Sequence, residues 1–268
     1  PSGVCGGGGV PTEQRKKLAK RVLKKIKKSA GDNLEKNFFH AYYLRTLILN
    51  YRRGYRQDLN QSKKTGVAPL SFKNERNVLA KIKNTDFLFV LGGSQSIGQI
   101  KTKNWNFIEQ CVSIGINNWL VHPFEPDYLM VEGLVSRPNR EKNEWLEKNI
   151  LKYSEKTSSK ILLKDVGCGV IDRSLISSLI NQKCFILPKL SIPGRTNVGL
   201  EKAVRLSGAL GVTSKFPVFA RVSVTLGISM AVQLGIKNVV LCGVDLNDGC
   251  YFWENEHFKP NRNVNGLP

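Results

Sequence analysis

Asp86-Phe87-Leu88-Phe89-Val90-Leu91-Gly92-Gly93-Ser94-Gln95-Ser96-Ile97-Gly98 is an unbroken apolar run closed by a glycine- and serine-rich turn. An apolar run without polar alternation predicts a strand buried on both faces, as in a parallel sheet. A glycine turn directly after such a strand lets backbone approach a phosphate. The next helix then offers its free N–H groups to the anion. Ser94 and Ser96 add hydroxyl donors. A tight turn with no ligand would use the same glycines.

Working outward, similar runs recur at 113–116, 128–131, 161–163, 185–187 and 238–242. Helix-like stretches fall between them at 141–156, 171–181, 199–210 and 219–235. Alternating strands and helices predict an α/β fold, a Rossmann-like and mostly parallel sheet with helices on both faces. We assign it to residues 66–268 as a single nucleotide-binding domain. The pattern does not give the order of strands in the sheet.

Residues 1–65 read differently. They hold a net charge of +12 out of +20 for the whole chain of 268 residues. Residues 1–10 are Gly-rich, which predicts disorder. In 13–28 (EQRKKLAKRVLKKIKK), Leu18, Val22, Leu23 and Ile26 fall at helical spacing among lysines and arginines. This predicts a cationic amphipathic helix, suited to packing on the body or to an anionic membrane surface. A second helix with a basic end is expected over 33–56, and a linker over 59–66. Tyr42, Tyr43, Tyr51 and Tyr55 interleave with Arg45, Arg52, Arg53 and Arg56, the loose pattern of a nucleic-acid-binding surface.

The chain has six cysteines, with no CxxC pair, and three histidines, so zinc-ligand spacing is absent. Cysteines inside apolar runs, such as Cys184, read as small buried hydrophobes in a reducing cytoplasm. No apolar run reaches the length of a membrane-spanning helix. With 41% hydrophobic residues the chain is no disordered polycation.

Three further segments carry chemistry. The second strand ends in Asn117-Asn118, whose amides donate and accept without adding charge. The third ends on Glu132. In the last block Ser223 and Thr225 place hydroxyls where a helix opens, and Val244-Asp245 follows the final strand, with Tyr251 beyond.

The turn at 92–98 resembles the GGSxGIG motif of short-chain dehydrogenases, with Ser96 where that family has a glycine. Their catalytic Tyr-x-x-x-Lys is missing, because Tyr153-Ser154-Glu155-Lys156 has the wrong spacing. Asn117-Asn118 stands where an acidic residue would hold a ribose. An NAD(P)-dependent oxidoreductase is therefore the lesser alternative, beside a basic nucleic-acid-binding protein.

Over about residues 85–255 the four blocks together resemble the bacterial CMP-sialic-acid-dependent sialyltransferases and related enzymes of surface-polysaccharide and lipopolysaccharide synthesis. Gly92-Gly93-Ser94-Gln95-Ser96-Ile97 matches their G-N-G-P-S-L turn, and Asn117 their second strand end. Ser223, Leu234-Gly235 and Gly243-Val244-Asp245 match their later block. The departures are Gly93 and Glu132 for Asn, Val224 for Gly, and Asn247 for a phosphate-binding Tyr.

The resemblance implies a GT-A-like variant of the fold. It also implies a metal-independent inverting glycosyltransferase using a CMP-activated sialic acid or Kdo-like sugar, with no cofactor. Donor-binding residues would be Gly92, Gly93, Ser94, Ser96, Asn117, Ser223, Thr225, Asp245 and Tyr251. No Asp-x-Asp pair is present to hold a divalent metal on a nucleotide diphosphate. The family's general-base histidine would fall beyond Pro268, as if the chain were truncated there. His257, and less so His122, are its substitutes within the chain. The acceptor would be a cell-surface glycan or glycolipid. The protein would sit in the cytoplasm, at the inner face of the membrane through residues 13–28.

Overall fold

A computed structural model of the chain describes residues 66–132, 140–164, 183–187, 189–191, 217–219, 222–245 and 250–260, with positions 45, 49, 60, 62, 63, 201 and 205. The expected helices over 13–28, 33–56, 171–181 and 199–210 lie outside the described residues, apart from isolated positions. Asn60, Ser62 and Lys63, in the stretch expected to be a linker, are helical. Gly66 ends that turn at φ +75°, donating its N–H to the Ser62 carbonyl at 2.8 Å. A left-handed glycine after the last turn is a common helix stop.

All six expected core strands form. They are β1 (Asn84–Leu91), β2 (Cys111–Ile116), β3 (Tyr128–Glu132), β4 (Lys160–Lys164), β5 (Cys184–Ile186) and, after a separate short pair, β8 (Asn238–Cys242). They build one parallel sheet in the order β5-β4-β3-β2-β1-β8. The separate pair is β6 (Leu190–Ser191) with β7 (Val218–Phe219). The strands step outward one by one from β1 to β5, then the chain returns to place β8 on β1's other side. The chain is Rossmann-like in its parallel sheet, with its own strand order.

Helices cover both faces. Along β1, Phe89 and Leu91 face one core, and Leu88 and Val90 face the other. The first core takes in α2 (Thr102–Gln110) and α3 (Arg140–Lys156) through Ile108, Leu146, Ile150 and Tyr153. The second takes in α1 (Phe72–Ile82) and α4 (Ser223–Leu234) through Leu79, Leu226, Met230 and Leu234. Each of these fully buried aliphatic side chains contributes roughly 1.5–3 kcal/mol relative to exposure. The helix expected over 219–235 starts at Ser223, because Phe219 belongs to β7.

Polar contacts fix how α1 sits. Glu75 is buried and accepts from the Tyr128 hydroxyl and from Lys160 Nζ at 2.6 Å. Those two residues open β3 and β4, so α1 is pinned at the N-terminal edge of the sheet. Burial pushes the Tyr128 hydroxyl well above the usual tyrosine range. Arg76 donates to the Gln233 carbonyl at 2.7 Å, tying α1 to α4. Residues with chemistry to offer a ligand are thus left at the opposite, C-terminal edge, where open α/β sheets bind ligands.

Candidate functional site

The loops leaving β1 and β8 close onto each other. Gly92 N–H donates to the Cys242 carbonyl at 2.8 Å, and Ser94 N–H to the Gly243 carbonyl at 3.0 Å. Asp245 then caps the short turn Gln95–Gln99. It accepts from Ser96 Oγ at 2.6 Å and from Ser96 N–H at 3.3 Å. Asp245 N–H donates in return to Ser94 Oγ at 3.2 Å. N–H groups that the sequence offered to a phosphate at Gly92, Ser94 and Ser96 are taken up by the protein's own carbonyls and carboxylate.

The glycines serve that closure. A Cβ on Gly92 would lie 2.3 Å from the Gly243 carbonyl oxygen. Gly243 has φ +63°, and a Cβ there would lie 2.3 Å from Ile97. A Cβ on Gly93 would sit 3.1 Å from the Trp253 ring. Gly93 also accepts the Phe252 N–H at 2.9 Å, while Ser94 bridges Tyr251. Six of the expected residues, Gly92, Gly93, Ser94, Ser96, Asp245 and Tyr251, are therefore brought into one junction. Beside it, the Tyr251 ring stacks on Trp253 at 4.4 Å with 7° between planes.

The other expected residues spread along the same edge. Asn117 follows β2 with φ +54°, a left-handed conformation that asparagine tolerates better than most residues. Ser223 opens α4 and accepts from Lys164 Nζ at 3.2 Å. Lys164 ends β4 and is only 3% exposed, a rare state for a lysine. Its register partner on β3 is Glu132. Thr225 directs its hydroxyl to the Val222 carbonyl at 2.7 Å, within the first turn of its own helix.

Sequence reasoning missed Lys164. Its signal is a charge that closes the apolar run Ile161-Leu162-Leu163 at a strand's C-terminal end. Three strand spacings of about 4.8 Å separate β4 from β1, so the ends of those two strands lie about 14 Å apart along the edge, with Lys164 on the α1–α4 face and the Tyr251–Trp253 stack on the α2–α3 face.

The histidines divide. His122 is buried among aromatic rings, stacked on Trp119 at 4.4 Å and in edge contact with Phe252 at 5.2 Å. Its Nδ1 accepts the Phe124 N–H at 3.0 Å. Burial lowers its pKa to about 4, so it is neutral at pH 7. His257 is an exposed loop residue whose backbone N–H is held by Asn255 Oδ1 at 2.9 Å. Tyr153 is buried in the α3 core against Ser159, which removes it from the dehydrogenase reading. Cys111, Cys184, Cys242 and Cys250 carry free thiols, and burial pushes Cys184 up to about 12.

Among the described residues, no group of three or more His, Cys, Asp or Glu is placed to hold a metal ion. None of the described helices is long and apolar enough to cross a membrane. The chain matches no protein-family model, and a search of curated proteins finds no match to it.

Proposed function

We propose that the chain binds a CMP-activated acidic sugar along the C-terminal edge of its sheet and serves as a metal-independent, inverting glycosyltransferase. The observation carrying this reading is the buried Lys164 beside Ser223 at the end of β4, three strands along the edge from the β1 end where Tyr251 stacks on Trp253. One phosphate is too small to reach both. A nucleotide joined to a sugar acid is of that order, with its base at the Tyr251 end and its carboxylate at the Lys164 end. Sialic acid and Kdo both carry such a carboxylate.

In this reading the closed junction is a rigid wall rather than a phosphate cradle. Asn117 and the first turn of α4 face the leaving phosphate with an amide and a helix N-terminus, donors that favour negative charge as it develops. Lys164 and Ser223 hold the sugar carboxylate, and thereby fix the anomeric carbon. The acceptor oxygen attacks that carbon from the opposite side as CMP departs. Its proton goes to a general base, a role that the enclosed His122 cannot fill. The cationic stretch 13–28 brings the body to an anionic membrane surface bearing a glycan or glycolipid acceptor. Flotation of the chain with anionic vesicles at low salt, with and without residues 1–65, tests that last part.

A binding panel tests the main reading. CMP and CMP-sugar acids are expected to bind, with UDP, NAD and single-stranded DNA much weaker. NAD binding without CMP binding would overturn it in favour of an oxidoreductase.

A further inference from the structure

We infer that the open face of Tyr251 is a stacking platform for the nucleobase of the ligand, so that Tyr251 acts through its ring rather than its hydroxyl. This deepens the reading above and rests on it for the identity of the base. Tyr251 is 49% exposed, although its backbone is held on two sides. Ser94 bridges it, and its N–H donates to Glu254 Oε2 at 2.8 Å.

One ring face lies flat on Trp253. Trp253 is only 8% exposed, packs against Gly93 and meets Phe252 edge-on at 4.8 Å. Phe252 in turn contacts Trp119, His122 and Phe258. The platform is therefore fixed from beneath by a packed aromatic core. It stands beside the β1–β8 junction, where the strand order reverses and ligands of open α/β sheets collect. A flat heterocycle continues an aromatic stack as a third layer. A pyranose, which is puckered, fits that parallel arrangement less well. Any base offers a π-face, so stacking alone does not select cytosine.

The test is proton NMR of cytidine, adenosine, ribose 5-phosphate and a methyl glycoside, each titrated into the full chain. Cytidine H5 and H6 are expected to move upfield on binding. Tyr251→Phe keeps that shift, with affinity within about twofold. Tyr251→Ala loses it, with affinity down roughly five- to 150-fold. Near-UV circular dichroism confirms that each variant is folded, and the Phe variant carries the test if the Ala variant is not.

Adenosine binding through Tyr251 without cytidine binding would uphold the platform and sink the CMP reading. Three results would overturn the platform. One is binding only of phosphate-bearing ligands, weakened equally in both variants. The others are a response to the glycoside instead of nucleosides, and no nucleoside binding at all.

Discussion

The two ends of the sheet's C-terminal edge solve opposite problems. At the β1–β8 end, backbone meets backbone, and glycines exist so that the two loops can touch. At the β4–α4 end a cation is kept under cover beside a hydroxyl and a helix start. The first arrangement satisfies its own polar groups and needs no ligand. The second buries a lysine near the start of a helix, in register with Glu132 on the next strand, and it is this lysine that the proposed function uses. A glycine-rich turn after a strand is thus a sign of close approach before it is a sign of a phosphate.

The largest effects should come from prising the closed end apart. Gly243→Ala adds a Cβ 2.3 Å from Ile97 at a φ of +63°, and is expected to cost about 3 kcal/mol or more in urea unfolding. Gly98→Ala, with nothing within 4 Å of its Cβ, should change stability by less than about 0.5 kcal/mol. Equal effects would break the contrast between junction glycines and the rest of the loop.

Acid should loosen the same end. His122 has a folded pKa near 4 against an ordinary 6.5, so the unfolded chain takes up the proton first. Its contribution is full above pH 6.5 and falls as pH drops towards 4, reaching a loss of about 2 kcal/mol at pH 5. His122→Phe should flatten that part of the stability-against-pH curve. An unchanged slope would mean that the buried ring is not what titrates.

A smaller effect is expected from Asp245→Asn, which weakens a charge-assisted cap on Ser96. About 1 kcal/mol of stability should go, with nucleotide affinity unchanged. If stability holds and affinity falls instead, Asp245 faces the ligand and the junction opens to it.

Legibility in the sequence followed the physics of each element. The core strands were readable because a strand buried on both faces must be continuously apolar, as in Phe87 to Leu91. Their order was not, because pairing β8 with β1 joins positions such as Ser96 and Asp245, 149 residues apart. Local sequence carries no trace of that. The helices α1 and α2 escaped because asparagines and lysines (Lys73, Asn74, Asn77; Lys103, Asn104, Asn106) thin their apolar faces. At the site, the glycine turn, Asp245 and Tyr251 stand out in the sequence as candidate donor-binding residues, and the fold brings them together. What they do to one another was hidden, since only the fold shows Asp245 occupying the N–H groups of the turn. Lys164 was passed over because one charge at a strand end ordinarily marks the return to solvent.

The central claim is that one extended ligand spans both ends of the edge. It is tested most directly by calorimetric binding of CMP and of a CMP-linked sugar acid to the native chain and to Lys164→Met. The account predicts that the substitution leaves CMP affinity within about twofold and weakens the sugar acid at least about tenfold, the size of a lost hydrogen bond to a charged group. Equal weakening of both ligands, or of neither, would contradict it.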